Sequence, residues 1–523
     1  MKLNIIIFLV LGVSLFARLI WITQTPPSLN WDEITFAYNA YSVLETGKDE
    51  YGKILPIQFE SIGDFKCPMY IYLLVPVIKI FGLNDFTVRF VPSLLGSLSV
   101  VLFSLIAFQI SKNKSVTLLS GLLLSISPWH LQFTRAGADV AVATFFTMLG
   151  ILLFFRKRYV FSFLAFVGST YSYFGERLFA PLICLLLVII FKKWKIREAL
   201  PALIAFLPLV FVLLSPGHLS KVSMTTLFSY TPPTIVDKSI ISTIIFHNSV
   251  VSYGTLVMDR YLAHFSPSFL FVKGVNDFRQ KILGMGMFYW SDLILLVIGT
   301  TVFVSQIKKR NLSFIFILVW LLASPLPAAI TRDPSHARRA LNLIYPLTFI
   351  SALGLHQLVK TKNKILFIFI LVFIWSFLFY VSSYYSYTPK AGAVGPAGWQ
   401  YGYKQLVQYI SPVKTNYQKV VVDTSYLGPY AYFLFYEKYP PQNYQPQSGL
   451  IRKEANGFGE GPGYDNYEFR AIYWPHDRGL KNHLFAGPPE RLPLKDIDPL
   501  YARLVKSVYA PNGEEVFRVV ETK

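Results

Sequence analysis

Two neighbouring carboxylates, Asp32 and Glu33, follow the first long apolar run of the chain, Leu3 to Trp21. An acidic group at a membrane surface bears a desolvation cost unless it is used or partnered. Its chemical use would be as a general base that takes a proton from an attacking hydroxyl or amine, with Asp32 as the base and Glu33 as its helper. Its structural use would be as a helix start, because Asn30 or Asp32 precedes a helical pattern over Ile34–Leu44. Both readings stand on residue type and position.

Four later segments carry charges of the kind such a base would need beside it. Asp64-Phe65-Lys66-Cys67-Pro68 offers Lys66, either as a point charge for a phosphate or as a lysine snorkelling to lipid headgroups. Arg135 and Asp139 are four apart and could pair on one helical face, as a structural ion pair or as a second acidic group that orients an acceptor. Tyr171-Ser172-Tyr173-Phe174-Gly175-Glu176-Arg177 combines aromatic-belt residues with an arginine shaped for bidentate phosphate contact, and Tyr173 and Glu176 could support an acceptor. Finally, Thr331-Arg332-Asp333-Pro334-Ser335-His336-Ala337-Arg338-Arg339 concentrates cations where the positive-inside tendency disfavours them. An anionic ligand in the membrane plane would explain His336, Arg338 and Arg339 there, together with Lys66 and Arg177. The combination suits a lipid-linked sugar phosphate: cations stabilise the departing phosphate and a carboxylate activates the attacking group.

Those segments must be positioned by a membrane scaffold. Of 523 residues, 53% are hydrophobic and 15% charged, with a mean hydropathy of +0.45. The net charge of +20 lies largely in short loops between apolar runs, which argues for topology rather than nucleic-acid binding. The two cysteines, Cys67 in a loop and Cys184 in an apolar run, imply no disulfide framework. No CxxC or HExxH signature is present, and no metal or cofactor is expected. The Leu3–Trp21 run lacks a small-residue cleavage site and reads as a retained anchor.

About eleven spans are predicted, near 3–22, 88–110, 115–130, 138–155, 159–175, 178–191, 197–215, 289–306, 311–330, 340–358 and 363–382. With Lys2 inside, this count puts the basic clusters at 112–114, 156–158, 192–197, 308–310 and 360–364 on the cytoplasmic side. The apolar stretch Met69–Leu83 contains Pro76 and Lys79 and is read as an interfacial helix. Outside lie a loop at 23–87, a loop at 216–288 and everything from Ser383 onward. The expected fold is therefore an all-α membrane bundle over 1–382 with a small extracytoplasmic α/β domain over 383–523. Lys419–Asp423 reads as a strand, and Val508–Ala510 and Val516–Val520 flank an Asn512-Gly513 hairpin signal. A transporter or lipid flippase is the alternative, but it would place charges deep in spans and show pseudo-symmetric halves, whereas no internal repeat is visible here.

Over roughly 1–380 the chain resembles the GT-C superfamily of membrane glycosyltransferases, in particular the protein O-mannosyltransferase and bacterial lipid A aminoarabinose-transferase types. Asp32-Glu33 looks like that family's acidic motif, and Lys66-Cys67-Pro68-Met69-Tyr70-Ile71-Tyr72 is similar to its Lys/His-Pro-Pro-Leu-Tyr-Tyr pattern, with Cys67 in place of the first proline. Arg89, Pro92, Gly96, Pro128, Arg135 and Asp139 follow in the family's order, as do Tyr261–Pro267 and His336-Ala337-Arg338-Arg339 before Tyr345-Pro346. The resemblance implies a polyprenyl-phosphate-linked sugar donor, an inverting transfer to an extracytoplasmic acceptor, and a multi-pass cell-membrane location, with the aspartate of the acidic motif as base.

Overall fold

Apolar runs in a low-dielectric surrounding must satisfy their backbone internally, and a helix does so within one segment. Each of the eleven predicted segments is helical in the structure, a computed structural model that describes residues 2–192, 194–229, 248–361, 364–387, 390, 398–452 and 459–523. The helices are α1 (Leu3–Leu19), α2 (Trp31–Thr46), α3 (Pro68–Phe81), α4 (Asp85–Ser111), α5 (Lys114–Ser125), α6 (Pro128–Arg135), α7 (Asp139–Phe155), α8 (Tyr159–Thr170), α9 (Glu176–Phe191), α10 (Ile196–Leu213), α11 (Pro216–Thr225), α12 (Ser249–Ala263), α13 (Trp290–Lys308), α14 (Leu312–Ala323), α15 (Ile344–Thr361) and α16 (Lys364–Ser382).

By length and composition alone, fewer than eleven of the described helices qualify as crossings. Six described helices, Asp85–Ser111, Ile196–Leu213, Trp290–Lys308, Leu312–Ala329, Leu341–Thr361 and Lys364–Ser386, are long and apolar enough to cross a membrane. The pair α5 and α6, bent by 56°, makes a seventh if taken as one span. Others are short: the 12 residues of α8 reach only about 18 Å at the helical rise, against roughly 30 Å of hydrocarbon.

Helix α4 lies at the centre, packed on α1, α5 and α7, and its buried face is built from small residues such as Ser93, Gly96, Ser97 and Ser104. Helices α13 and α15 approach so closely at Gly299 and Gly354 that a Cβ on either would run into a backbone carbonyl of the other helix. Small residues at such crossings allow the backbone contact that drives packing in lipid. Outward, α10 shows Leu203, Leu207 and Phe211 and α16 shows Phe367, Leu371 and Leu378, all exposed as a lipid-facing surface requires.

The stretch read as an interfacial helix is α3. Its Tyr70, Ile71, Leu74 and Ile78 are buried, and it packs on α2 and α4. Ahead of it, β1 (Phe59–Ser61) and β2 (Asp64–Lys66) form a tight hairpin whose two turn residues, Ile62 and Gly63, have φ of 50° and 72°. Such left-handed pairs match the twist of a two-residue turn.

The C-terminal region supplies the strands β3 (Lys419–Val422), β4 (Ile451–Arg452), β5 (Gly459–Glu460), β6 (Gly463–Tyr464), β7 (Tyr467–Phe469), β8 (His483–Gly487), β9 (Ala502–Tyr509) and β10 (Glu515–Thr522). Six form one sheet in the order β6-β7-β3-β8-β10-β9, with β3 parallel to β7 and β8 and the outer pairs antiparallel. The predicted strand and the Asn512-Gly513 hairpin are both present. Helices α17 (Tyr403–Ile410) and α18 (Pro429–Tyr436) pack beside the sheet. Ile34, Tyr38 and Ile71 share one apolar core with Val420, Tyr430, Phe433 and Val519, so the first loop and the C-terminal region bury their apolar faces against each other.

Candidate active site

The start of α2 decides what each acidic residue can do. Asn30 caps the helix: its Oδ1 accepts from the Glu33 N–H at 3.1 Å, and Glu33 Oε2 accepts from the Asn30 N–H at 2.9 Å. This capping box satisfies two otherwise orphaned donors. Glu33 is fully buried and also accepts from Arg89 Nε at 2.9 Å and from the Gly137 N–H at 2.7 Å. It is a structural clamp, turned away from the cavity that Asp32 faces. The two carboxylates therefore have separate surroundings: Asp32 lines the cavity and Glu33 does not.

The chain leading into α2 is held by its carbonyls. Arg135 donates to the carbonyls of Ala17, Arg18, Ile20 and Thr25, and Arg89 donates to those of Ile22, Pro26 and Ser28. Tyr432 of α18 donates to the carbonyl of Leu29 at 3.1 Å. Irregular backbone at membrane depth needs such partners. Arg135 is thereby spent on backbone and does not pair with Asp139, contrary to the four-residue spacing.

Asp32 opens into a cavity of about 790 Å³. Along its wall charges alternate. Asp139 accepts from Arg338, Arg338 Nη1 lies 3.5 Å from Asp32 Oδ2, Asp32 accepts from Lys66, Lys66 donates to Asp64 at 2.8 Å, and Asp64 accepts from Lys221 at 2.5 Å. Three carboxylates and three cations thus form one row. Burial alone would raise Asp32, but Lys66 and Arg338 outweigh it and hold the carboxyl well below its ordinary value. Burial likewise acts on Asp64, and Lys221 and Lys66 overcome it to hold that carboxyl low. Lys66 is pushed down by burial and raised further by Asp32 and Asp64, so it stays charged. The row is formally neutral.

Arg177, at the start of α9, stands beside this row. Its Nη1 donates to His218 Nδ1 at 2.6 Å and its Nη2 to Cys67 Sγ at 3.6 Å, and its guanidinium lies 4.2 Å from the centre of the Phe174 ring. Its Nε is buried without a partner among the described residues. Among the described residues it has no carboxylate partner, so it is a cation available to an anion without first breaking an ion pair. Burial, with Arg177 and Lys221 nearby, lowers His218 to about 4, which keeps the ring neutral and able to accept.

Of the residues expected from sequence, Asp32, Asp64, Lys66, Asp139, Tyr173, Arg177, His336, Arg338 and Arg339 line this one cavity. They come from five separate segments. The Arg338 guanidinium lies 5.5 Å from the centre of the Tyr173 ring, and Arg339 pairs with Asp333 at 3.0 Å. Glu33, Arg135 and Glu176 are not in its wall; Glu176 is buried in the bundle and accepts from Thr147, Ser169 and Asn342. Lys66 is buried and ion-paired, not snorkelling. Among the described residues no group of three or more His, Cys, Asp or Glu is placed to hold a metal ion.

Sequence reasoning missed His218, Lys221, Arg279 and Trp399, all of which line the cavity. A signal existed for the first two: Ser215-Pro216 is a capped helix start, and residues three apart share a helical face. Arg279 lies in an irregular loop, paired with Asp277 and 4.3 Å from the centre of the Trp31 ring, and nothing local marks it.

Comparison with known proteins agrees with this architecture. The family model for dolichyl-phosphate-mannose-protein mannosyltransferase matches residues 9–167. An uncharacterized protein of Aquifex aeolicus (strain VF5) is 31% identical over 143 residues, which span 27% of this chain and 28% of that protein. Two crystal structures of ArnT from Cupriavidus metallidurans match 98% of this chain and 97% of theirs. The apo form does so at a TM-score of 0.56 and 11% identity, the form bound to undecaprenyl phosphate at 0.52 and 12%. The N-terminal part of the chain is thus similar to that mannosyltransferase family, and the chain along its length shares the fold of ArnT.

Proposed function

We propose that this protein is a membrane glycosyltransferase that moves a sugar from a polyprenyl-phosphate-linked donor to an acceptor outside the cytoplasm, with Asp32 as general base. The observation that carries this reading is the placement of Asp32, ionised and partly exposed between Lys66 and Arg338, in a cavity that also holds Arg177. The family model names a dolichyl-phosphate mannose enzyme, and one ArnT match holds undecaprenyl phosphate, which supports a lipid-phosphate donor.

In this mechanism the acceptor oxygen or nitrogen attacks the anomeric carbon from the face opposite the phosphate. The bond from that carbon to the phosphate oxygen breaks, so configuration inverts and polyprenyl phosphate departs. Asp32 takes the acceptor proton. Arg177 holds the phosphate, and Arg338 and Lys66 turn toward it as its charge grows, which loosens their hold on Asp32 and strengthens the base. Arg339 and His336 border the phosphate from the other side. Asp139 keeps Arg338 oriented, and Asp64 does the same for Lys66.

The topology that accompanies this reading has the N-terminus inside, about eleven crossings counting tilted and bent helices, and the region from 383 outside as a second domain. Its support is that residues assigned to outer loops converge on one cavity, while none of the described residues of the five basic clusters lines it. The test is transfer of labelled mannose from undecaprenyl-phosphate mannose in membranes containing the protein. Asp32→Asn should abolish it at unchanged expression; full transfer by that variant would remove Asp32 as base.

A further inference from the structure

Among the described residues, the C-terminal region reaches the cavity at one position. Trp399 is among the residues that line the same cavity as Asn30 and Asp32, and it is fully buried. Its indole nitrogen is buried and has no hydrogen-bond partner among the described residues. An indole N–H can only donate, and leaving a buried donor unpaired is costly, so native structures rarely keep one without a use.

Trp399 is also held in place deliberately. Gln400, next to it, takes a left-handed backbone with φ of 46°, a conformation disfavoured for a residue with a side chain. Gln400 Nε2 donates to the carbonyl of Gly398 at 2.9 Å, and its Oε1 lies 3.3 Å from the Tyr432 hydroxyl. The same hydroxyl is the donor to Leu29, one residue before the Asn30 cap. One tyrosine therefore ties the Trp399 turn to the start of the helix that carries Asp32.

We propose that Trp399 is a sugar-contacting residue: its indole N–H donates to a hydroxyl oxygen of the sugar carried by the lipid donor. A neutral oxygen is the acceptor such a donor takes, and the sugar must sit beside Asp32 for the base to reach the acceptor attacking it. The cavity's phosphate-binding groups are cations, and Trp399 adds no charge to them. This inference rests on the proposed donor class and extends it by giving the C-terminal region a part in recognising the sugar.

The experiment uses the full chain in nanodiscs and compares binding of undecaprenyl-phosphate mannose with that of undecaprenyl phosphate. Trp399→Phe, with thermal stability monitored, should weaken binding of the sugar lipid about tenfold, one hydrogen bond's worth, and leave the lipid phosphate within about twofold. A second measurement varies the sugar. In a series of singly deoxygenated mannosyl lipids, one position should cost the unaltered chain about tenfold and cost Trp399→Phe nothing further. Equal loss for both lipids, equal binding of both lipids by the unaltered chain, or no sensitive hydroxyl would each overturn the inference while leaving the donor class standing. Failure of the unaltered chain to bind either lipid would instead bring down the donor reading, and this inference with it.

Discussion

Arg338 Nη1 stands 3.5 Å from Asp32 Oδ2 across 306 residues of sequence. The same guanidinium donates to Asp139 through its other nitrogen, so one arginine spans the two carboxylates that face the cavity from α2 and α7. Planar, forked and permanently charged, an arginine suits this bridge better than a lysine would. Its position means that the charge state of Asp32 is set by residues from distant parts of the chain.

That relationship predicts a pH effect. Asp32 is held below its ordinary carboxylate value by Lys66 and Arg338, so it is ionised throughout the neutral range and loses its charge only in acid. Arg338→Gln removes one of the cations that hold Asp32 low and lets the folded-state pKa rise. The acid limb of kcat/KM should then move upward by on the order of one pH unit, activity being lost sooner as pH falls. An acid limb that stays put in the variant would mean that Asp32 is not the titrating group.

Arg177 should govern donor use. Arg177→Ala removes the cavity cation that has no carboxylate partner among the described residues, and it should raise KM for the lipid donor about 10- to 100-fold with a smaller effect on kcat. Arg177→Lys should recover only part of the loss, because an ammonium cannot reproduce the fork or the stacking on Phe174. Steady-state transfer at varied donor concentration checks both.

Glu33 and Asp32, though adjacent, should fail in different ways. Truncating Glu33 leaves Arg89 buried without its carboxylate and the helix without half its capping box. Glu33→Ala should cost about 3–5 kcal/mol of stability, seen as poor expression and a lowered Tm in detergent. Asp32→Asn should keep the fold and lose about 10²- to 10⁴-fold in transfer rate. A well-folded, inactive Glu33→Ala would contradict the assignment of Glu33 to structure.

Glu50 offers a stability test of the contact between the first loop and the C-terminal region. It is fully buried and accepts from Ser61 Oγ at 2.8 Å, Tyr430 Oη at 3.1 Å and Asn39 Nδ2 at 3.2 Å, and burial pushes its carboxyl up to about 8. A raised folded-state pKa means stability that is whole below the unfolded value near 4.5 and is lost as pH rises toward 8. Glu50→Gln cannot ionise, and its amide can face the two hydroxyls, which accept as well as donate. The variant should therefore gain on the unaltered chain between pH 5 and pH 8, by on the order of 2 kcal/mol at the upper end. Apparent Tm across that range decides it; parallel curves for the two proteins would place the ionisation elsewhere.

How much of this was legible in the chain can be argued residue by residue. Apolar runs of helical length, Asn30 before a first turn with Glu33 three positions on, and Asn512-Gly513 between strand-like runs each carry their structure locally. Backbone propensity, capping and turn geometry act over a few residues. The crossing count was less legible, because short helices such as α8 and the bend between α5 and α6 depend on how neighbours pack. Which charged segments lie outside the apolar runs was legible too, since lipid excludes charge.

Which charge meets which was decided only by tertiary structure. Arg135 and Asp139 have the spacing of a pair, yet the first is consumed by four backbone carbonyls and the second by Arg338. Lys66 finds Asp32 across the β1–β2 hairpin, and Lys221 finds Asp64 from a helix that sequence reasoning passed over. Trp399 joins the cavity because the C-terminal region shares its core with the first loop. The reason is the same each time: ion pairs and orphaned donors are satisfied by whatever lies within a few ångströms after folding, and distance in space is not written as distance along the chain. Apolar runs and residue types along the chain were enough for a helical membrane bundle and a set of candidate carboxylates and cations; the fold decided that Asp32, and not Glu33, lines the cavity, and which cations hold it.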